Sequence, residues 1–149
     1  MEIPTAAKTL LEHKGREVWT IAPDVTVFEA IKMMADKNVG ALPVMDGTKL
    51  VGMISERDYM SKVVLKGKSS KETPVKDIMT SKVVTVGPDH NVSKCMEIVT
   101  EHHIRHLPVM DGDELLGIVS IGDLVRWIIA TQKMTIEQLE AYIAGGYSA

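Results

Sequence analysis

One sequence pattern occurs twice in this chain. The stretch "ALPVMDGTKLVGMISERD" begins at residue 41, and "HLPVMDGDELLGIVSIGD" begins at residue 106. A shift of 65 residues aligns 20–58 with 85–123 without a gap, and 14 of the 39 aligned positions are identical. This period exceeds that of most solenoid repeats, and two repeats are too few to stack as an array. The duplication therefore predicts two similar units that pack as a pair with pseudo-twofold symmetry.

Each repeat carries the signals of a β-α-β-β-α order. The β-rich segments "VWTIAPD" and "VVTVGPD" each end at a proline turn. A helix is predicted next, with Thr26 and Glu29 in capping-box spacing in the first repeat and Asn91 as the cap in the second. An Asp-Gly turn then joins two short apolar runs into a hairpin. Ser55 and Ser120 are predicted N-caps of a further helix, each with an aspartate three residues later.

The predicted fold class is α+β, with two β-α-β-β-α repeats plus N- and C-terminal helices. One repeat alone would hold a three-stranded sheet with an uncovered apolar face, and pairing covers that face. Thr135 and Gln138 form a candidate capping box for the last helix, which is expected to stop at Gly145-Gly146. The expected boundaries are an N-terminal helix at 1–14, repeat 1 at 15–66, a polar linker at 67–74, repeat 2 at 75–132 and a C-terminal helix at 133–149.

Composition and charge narrow the functional classes. The net charge of −3 gives no general attraction to nucleic acid. The single cysteine, Cys95, has no partner for an intramolecular disulfide, which indicates a reducing compartment, and its helical position predicts a core role. No stretch approaches the roughly 18 apolar residues of a membrane span, and the first residues lack the pattern of a secretory signal. A cytoplasmic protein without a membrane partner is therefore expected.

Catalytic and metal-binding motifs are not found. The sequence lacks a P-loop, a Gly-x-Ser-x-Gly elbow and a Gly-x-Gly-x-x-Gly loop, so neither an enzyme nor a catalytic cofactor is predicted. The cluster "EHHIRH" contains His102, His103 and His106. His102 and His106 are four residues apart, but the helix is expected to end between them, and no paired cysteine or acidic ligand follows. No metal site is predicted.

The order of a strand, a helix, "LPVMDG", "LVG", "IS" and Ser-x-x-Asp resembles the CBS domain. Its repetition over about residues 15–130 resembles the tandem pair known as the Bateman module. One departure is that "DIMT" at 77–80 aligns with "EHKG" at 12–15, so the first repeat has an atypical lead-in. The resemblance implies a stand-alone regulatory module that forms a homodimer, binds an adenosine derivative and acts on an unidentified effector protein. The implied ligands are AMP first, then ADP, ATP, NAD(H) and S-adenosylmethionine.

The Ser-x-x-Asp pattern has a physical reason to bind such a ligand. Asp58, one turn into its helix, can accept hydrogen bonds from two ribose hydroxyls, while Ser55 and the free N–H groups of the helix start face a phosphate. An isolated Ser-x-x-Asp is more often no more than a helix cap. Its occurrence at matching positions of both repeats favours ligand binding.

The resemblance also implies which residues meet, because the aspartate of one repeat is expected to face the first strand and the "LP" segment of the other. The first cleft then combines Ser55 and Asp58 with Thr85, Val86, Pro88, Arg105 and His106. The second combines Ser120 and Asp123 with Thr20, Ile21, Pro23, Gly40 and Ala41. Since the first cleft holds the arginine and histidine, it is expected to bind more tightly and to prefer a phosphorylated adenosine.

Two side chains and the function itself have alternative interpretations. Arg57, beside Asp58, either contributes to the first cleft or is a solvated surface residue. Trp19 is either an apolar strand residue or a platform on which a base stacks. The alternative function is a ligand-independent dimerisation and protein-interaction module with vestigial clefts.

Overall fold

Each repeat forms one antiparallel hairpin with helices before and after it. The computed structural model describes residues 3–15, 17–141 and 143–144. The predicted α+β fold is confirmed. The helices are α1 (Ala7–Lys14), α2 (Val27–Lys37), α3 (Glu56–Tyr59), α4 (Val92–His102) and α5 (Ile121–Ala141). The strands are β1 (Ala41–Asp46), β2 (Lys49–Ser55), β3 (His106–Asp111) and β4 (Glu114–Ser120). A π-helical segment, Met60–Val64, continues α3, and a 3-10 turn, Val75–Asp77, precedes the second repeat.

The two hairpins have the same register. Val44 lies opposite Gly52 in the first and Val109 lies opposite Gly117 in the second, with a bulge directly after each valine. Gly47, in the first Asp-Gly turn, has a φ of +63°, which favours glycine because it has no Cβ. The second turn has the same geometry. The hairpins predicted from the Asp-Gly turns are therefore confirmed.

The first strand of each repeat is shorter than predicted. The segments 18–24 and 83–89 each contribute a single parallel bridge, between Ile21 and Val44 in the first repeat and between Val86 and Val109 in the second. Each sheet consequently has two strands rather than three.

Proline explains why the bridge does not extend. Ile21 donates its N–H to the carbonyl of Pro43 at 3.1 Å and accepts from the N–H of Met45 at 2.9 Å. A longer parallel ladder would need an N–H from Pro23 at one end and from Pro43 at the other, and proline has none. Prolines stand at the two corresponding positions of the second repeat.

Helix caps and apolar faces agree with the sequence pattern. Thr26 accepts from the N–H of Glu29 at 3.3 Å, and Asn91 accepts from the N–H of Lys94 at 2.8 Å. The apolar faces of α2 and α4 are buried in two separate clusters, one in each repeat. Cys95 is fully buried in the second cluster, as its helical position predicts.

The lead-in segments of the two repeats are exchanged. The segment before repeat 1 docks on repeat 2, where the carbonyl of Thr5 accepts from Val92 at 2.8 Å. The segment between the repeats docks on repeat 1, where the carbonyl of Thr73 accepts from Val27 at 2.8 Å. Two matching ion pairs, Lys8 with Asp89 and Lys76 with Asp24, accompany these bonds.

These matched contacts locate the first lead-in segment, which the sequence alignment misplaced. Thr5 and Thr73 are 68 residues apart, whereas the repeats are offset by 65. The counterpart of 75–79 is therefore 7–11. By the same offset, the counterpart of 77–80 is 9–12 rather than 12–15, so the sequence alignment of this segment is wrong by three residues.

Each lead-in segment packs on a strand glycine. A Cβ on Gly117 would lie 2.8 Å from Leu11, and one on Gly52 would lie 2.5 Å from Met79.

The end of the chain differs from the prediction. Helix α5 continues without a break through residue 132, where a new helix was expected to follow. Thr135 donates its hydroxyl to the carbonyl of Thr131 at 3.0 Å, a bond within the helix, so the predicted capping box is wrong. The stop at Gly145-Gly146 lies outside the described residues. Within the described ranges, the helices are too short or too polar to cross a membrane.

We predict that Leu11→Ala lowers the free energy of unfolding by about 2–5 kcal/mol, because Leu11 is 1% exposed in the core of repeat 2. Leu65→Ala is the matched control, since Leu65 is 73% exposed and its truncation should cost less than about 0.5 kcal/mol. Urea denaturation followed by circular dichroism measures both. Equal effects of the two variants would show that α1 is not part of the core.

Candidate functional site

Both aspartates of the Ser-x-x-Asp patterns are held by reciprocal helix caps. Ser120 donates its N–H to Asp123 Oδ2 at 2.8 Å, and the N–H of Asp123 donates to Ser120 Oγ at 3.1 Å. Ser55 and Asp58 form the same pair of bonds at 3.0 and 3.2 Å. The predicted N-caps are confirmed, and each cap fixes its carboxylate at the first turn of a helix.

A cleft of about 310 Å³ opens beside Asp123 and is lined by both repeats and by α1. Four of the residues predicted for the second cleft line it: Gly40, Ala41, Ser120 and Asp123. The other lining residues are Lys14, Gly15, Glu17, Val18, Trp19, Asn38, Val39, Pro43, His106, Gly117, Ile118 and Arg126.

Two cations contact the carboxylate in this cleft. Lys14 Nζ lies 2.7 Å from Asp123 Oδ2, and Arg126 lies 2.7 Å from Oδ1. Lys14 also donates to the carbonyl of Ile118 at 2.8 Å. Burial alone would raise the pKa of Asp123, but the hydrogen bonds from Lys14 and Ser120 outweigh it and hold that pKa below its usual value. The second cleft, which has glycine and alanine where the first was expected to have its cation, thus obtains positive charge from α1 and α5.

His106 lies in this cleft, whereas the resemblance implied a place in the first cleft. The register of the β3–β4 hairpin pairs His106 with Ser120, so the residue before "LP" lies beside the serine of its own repeat. A Cβ on Gly40 would lie 3.3 Å from the imidazole, so the glycine leaves room for the ring. Burial lowers the pKa of His106, and the positive charges of Lys14 and Arg105 lower it further against the opposing effect of Asp123.

Arg105 is also placed differently from the expectation. Its carbonyl accepts from the N–H of Ile121 at 2.8 Å, at the first residue of α5, and its side chain is exposed. It therefore lies next to the helix start that carries Asp123. Counting residues outward from the Asp-Gly turn gives the register of the β3–β4 hairpin, and this register could have predicted the placement of both Arg105 and His106.

The first-strand residues that line the cleft are Val18 and Trp19, directly before the predicted ones. Ile21 is buried in the core of repeat 1, and the carbonyl of Pro23 accepts from Lys76 at 2.9 Å. Thr20 is exposed and does not line the cleft. Trp19 is half-buried at the cleft wall, with Lys37 Nζ 4.0 Å from the centre of its ring. This position is compatible with a stacking platform.

The carboxylate of Asp58 is engaged within repeat 1 and its lead-in segment. Lys62 Nζ lies 2.9 Å from Oδ1, and the Thr80 hydroxyl lies 3.4 Å from the same oxygen. Ser55 Oγ donates to Oδ2 at 3.1 Å. Thr80 also pairs with the edge of β2 at Met53 through two main-chain bonds of 2.8 and 2.9 Å. Asp58 is therefore 8% exposed and covered by the lead-in segment.

The remaining residues predicted for the first cleft have other surroundings. Val86 is buried in the core of repeat 2, and the carbonyl of Pro88 accepts from Lys8 at 3.0 Å. Thr85 and Arg57 are exposed. Apart from Ser55, the charged and polar partners of Asp58 are Lys62 and Thr80, which the sequence pattern did not indicate.

The histidine cluster does not share one helix face. Helix α4 ends at His102, His103 is its left-handed cap with a φ of +53°, and His106 begins β3. In the part of the chain that the structure describes, no group of three histidine, cysteine, aspartate or glutamate side chains is arranged to hold a metal ion.

Comparison with known proteins gives one family. A model of the CBS domain matches residues 6–65 and 75–130. The Arabidopsis thaliana protein named "CBS domain-containing protein CBSX3, mitochondrial" is 40% identical over 153 residues, which cover 96% of this chain and 74% of the relative.

Solved structures agree with that family. The crystal structure of the CBS domain NE2398 is 46% identical and has a TM-score of 0.81 over 84% of this chain and 98% of that chain. The CBS domain pair of protein MJ0100, solved in complex with 5′-methylthioadenosine and S-adenosyl-L-methionine, is 28% identical and has a TM-score of 0.74 over 83% of this chain and 99% of that chain. The chain therefore belongs to the CBS domain family and carries two CBS domains in tandem.

Proposed function

We propose that this chain is a regulatory module that binds a phosphorylated adenosine in the Asp123 cleft and transmits its ligand state to an effector protein. The observation that carries this proposal is the cleft itself. It combines a fixed carboxylate, two cations, a histidine and an aromatic wall. The adenosine ligands of the related MJ0100 domain pair support the ligand class.

The cleft offers a separate partner for each part of a nucleotide. The Asp123 carboxylate is a hydrogen-bond acceptor suited to the two ribose hydroxyls. Lys14 and Arg126 provide the positive charge for a phosphate. The apolar surfaces of Val18 and Trp19 provide contact for the adenine ring.

The ligand preference follows from charge and size. The two cations disfavour the positively charged sulfonium of S-adenosylmethionine and favour an anionic phosphate. A cleft of about 310 Å³ is at the small end of ligand pockets, which favours a mononucleotide such as AMP, ADP or ATP over the dinucleotide NAD(H). AMP is the ligand we propose first.

Ligand binding has a direct route to α1. Lys14 is the last residue of α1, and its ammonium group pairs with Asp123. A phosphate competes with Asp123 for that ammonium group, so the ligand changes the contact that holds the end of α1 on repeat 2. Such a change can be transmitted to an effector only if the ligand binds one arrangement of α1 more tightly than the other.

A ligand-independent interaction module is the second candidate. The exposed apolar side chains of Met60 and Val64, which are 55% and 53% exposed, favour a surface that contacts another protein. A homodimer is the assembly that we propose for either function. A reducing compartment such as the cytoplasm is proposed because the single cysteine is buried as a free thiol.

We predict that AMP raises the melting temperature of the natural protein, with a stabilisation on the order of 3 kcal/mol at a hundredfold excess over its dissociation constant. Asp123→Asn should weaken AMP binding about tenfold or more, because it removes a charged hydrogen-bond acceptor. Asp58→Asn is the matched control and should keep most of the shift, since Asp58 does not line the Asp123 cleft. Differential scanning fluorimetry measures all three proteins.

The outcomes separate the two clefts and the two functions. Loss of the AMP shift in Asp58→Asn alone would place the ligand in the first cleft. No shift with AMP, ADP, ATP or NADH at millimolar concentration would favour the interaction module. In a Trp127→Phe background, the fluorescence of Trp19 should change on AMP binding.

We predict that His106 makes the stability of the ligand-free protein depend on pH. Because the folded protein lowers the pKa of His106 below 6.5, the unfolded chain takes up the proton first as the pH falls. This contribution to stability is complete above about pH 6.5 and is lost as the pH falls through the folded-state pKa. Urea denaturation between pH 7.5 and 5 should give a smaller slope for His106→Gln. The exposed His102→Gln serves as the control, and an unchanged slope in His106→Gln would contradict the prediction.

A further inference from the structure

The imidazole of His106 lies in the wall of the Asp123 cleft with its hydrogen-bonding capacity unused. His106 begins β3 opposite Ser120, so the ring is held beside the start of α5. It is half-buried, and within the described residues it neither donates nor accepts a hydrogen bond and forms no ion pair. A polar ring in this position has donor and acceptor sites that a ligand in the cleft can use.

Charged groups from both repeats lie around the ring. They are Lys14 of α1, Glu17 of the following segment, Glu56 of α3, Arg105 before β3, and Asp123 and Arg126 of α5. The carboxylate of Asp123 is already paired with Lys14 and Arg126, and both glutamates are exposed to solvent, which screens their charge. Burial and the positive charges of Lys14 and Arg105 therefore keep the pKa of His106 below its usual value. In the ligand-free protein the ring is consequently neutral at pH 7.

We propose that His106 is a specificity-determining residue that takes up a proton when the phosphate of AMP enters the cleft. This inference rests on the proposed function, because it concerns the same cleft and the same ligand. Its consequence is that the affinity for AMP rises as the pH falls from about 8 to about 6.5. The module would then respond to acidification as well as to the nucleotide.

The physical reason is the sign of the charge that the ring meets. The ammonium group of Lys14 is close enough to lower the pKa of His106. A phosphate that pairs with this ammonium group therefore also lies within electrostatic reach of the ring, but with the opposite sign. An opposite charge at a few ångströms favours the charged form of an ionisable group, so bound AMP raises the pKa of His106. Because this pKa is higher in the complex than in the free protein, protonation and AMP binding strengthen each other.

This coupling distinguishes ligands by the charge next to the ribose. AMP carries its phosphate directly on the ribose that Asp123 is proposed to hold, so the phosphate is within reach of the ring. Adenosine has no phosphate, and its affinity should not depend on the protonation of His106. The positively charged sulfonium of S-adenosylmethionine opposes protonation of the ring. The preference for AMP over these two compounds should therefore increase as the pH falls.

The first test measures AMP binding by isothermal titration calorimetry at pH 8 and pH 6.5. The phosphate of AMP itself titrates near pH 6, but this affects every variant alike. Between the two pH values, the affinity of the natural protein should gain about threefold or more relative to that of His106→Gln. His102→Gln, an exposed histidine outside the cleft, is the matched control and should behave as the natural protein does. An equal change of affinity in all three proteins would overturn the inference.

The second test needs no variant and uses the isotope-labelled natural protein. The pH titration of the His106 ring signals is followed by nuclear magnetic resonance with and without saturating AMP, and with adenosine as the phosphate-free control. With AMP the ring should titrate at a higher pH, and with adenosine its titration should stay where it is in the ligand-free protein. AMP binding with an unchanged titration of His106 would overturn this inference and leave the proposed function intact. Absence of AMP binding at both pH values would overturn both.

Discussion

The exchange of lead-in segments is the constraint on which the rest of this structure depends. A two-stranded hairpin with two helices leaves apolar surface on each repeat, and that surface is covered by a segment from elsewhere in the chain. Residues 3–11 cover repeat 2, and residues 73–79 cover repeat 1. Since the chain passes through all of repeat 1 between residue 11 and its docking partner, neither repeat is complete as a continuous piece of sequence. The two repeats are thereby tied into one folding unit.

The same exchange makes the two clefts unequal. At Asp58 the lead-in segment continues as an extended chain, and Thr80 pairs with the edge of β2 beside the carboxylate. At Asp123 the lead-in segment continues as one more turn of α1. There the ammonium group of Lys14 donates to the carbonyl of Ile118, whereas in repeat 1 the corresponding carbonyl, that of Met53, accepts from the main-chain N–H of Thr80. The helical lead-in leaves the edge of β4 open to a cleft and delivers a cation to it. The two Ser-x-x-Asp caps are alike, but residues 12–14 continue as helix and so give Asp123 different surroundings from Asp58.

Charge dominates the chemistry of the Asp123 cleft. The Asp123 carboxylate satisfies its two oxygens with Lys14, Arg126 and its own cap, so its pKa stays low although burial acts in the opposite direction. Burial, together with the positive charges of Lys14 and Arg105, lowers the pKa of His106. An anionic ligand would relieve the repulsion among these cations, which is the physical reason that the cleft suits a phosphate.

Local signals in the sequence determined most of the secondary structure. The duplicated "LPVMDG" and Ser-x-x-Asp predicted both hairpins and both helix caps, because these depend on residues within a few positions of one another. Two predictions from local patterns were wrong. The β-rich first segments form only a single bridge, because proline stands at both ends of it. The capping-box pattern at Thr135 does not begin a helix, because the Thr135 hydroxyl bonds within the continuous helix α5. Only the tertiary structure placed Lys14 beside Asp123, 109 residues away, and His106 beside Gly40. No local pattern contains that information, because it arises from the docking of a lead-in segment on repeat 2 and from the packing of one repeat against the other.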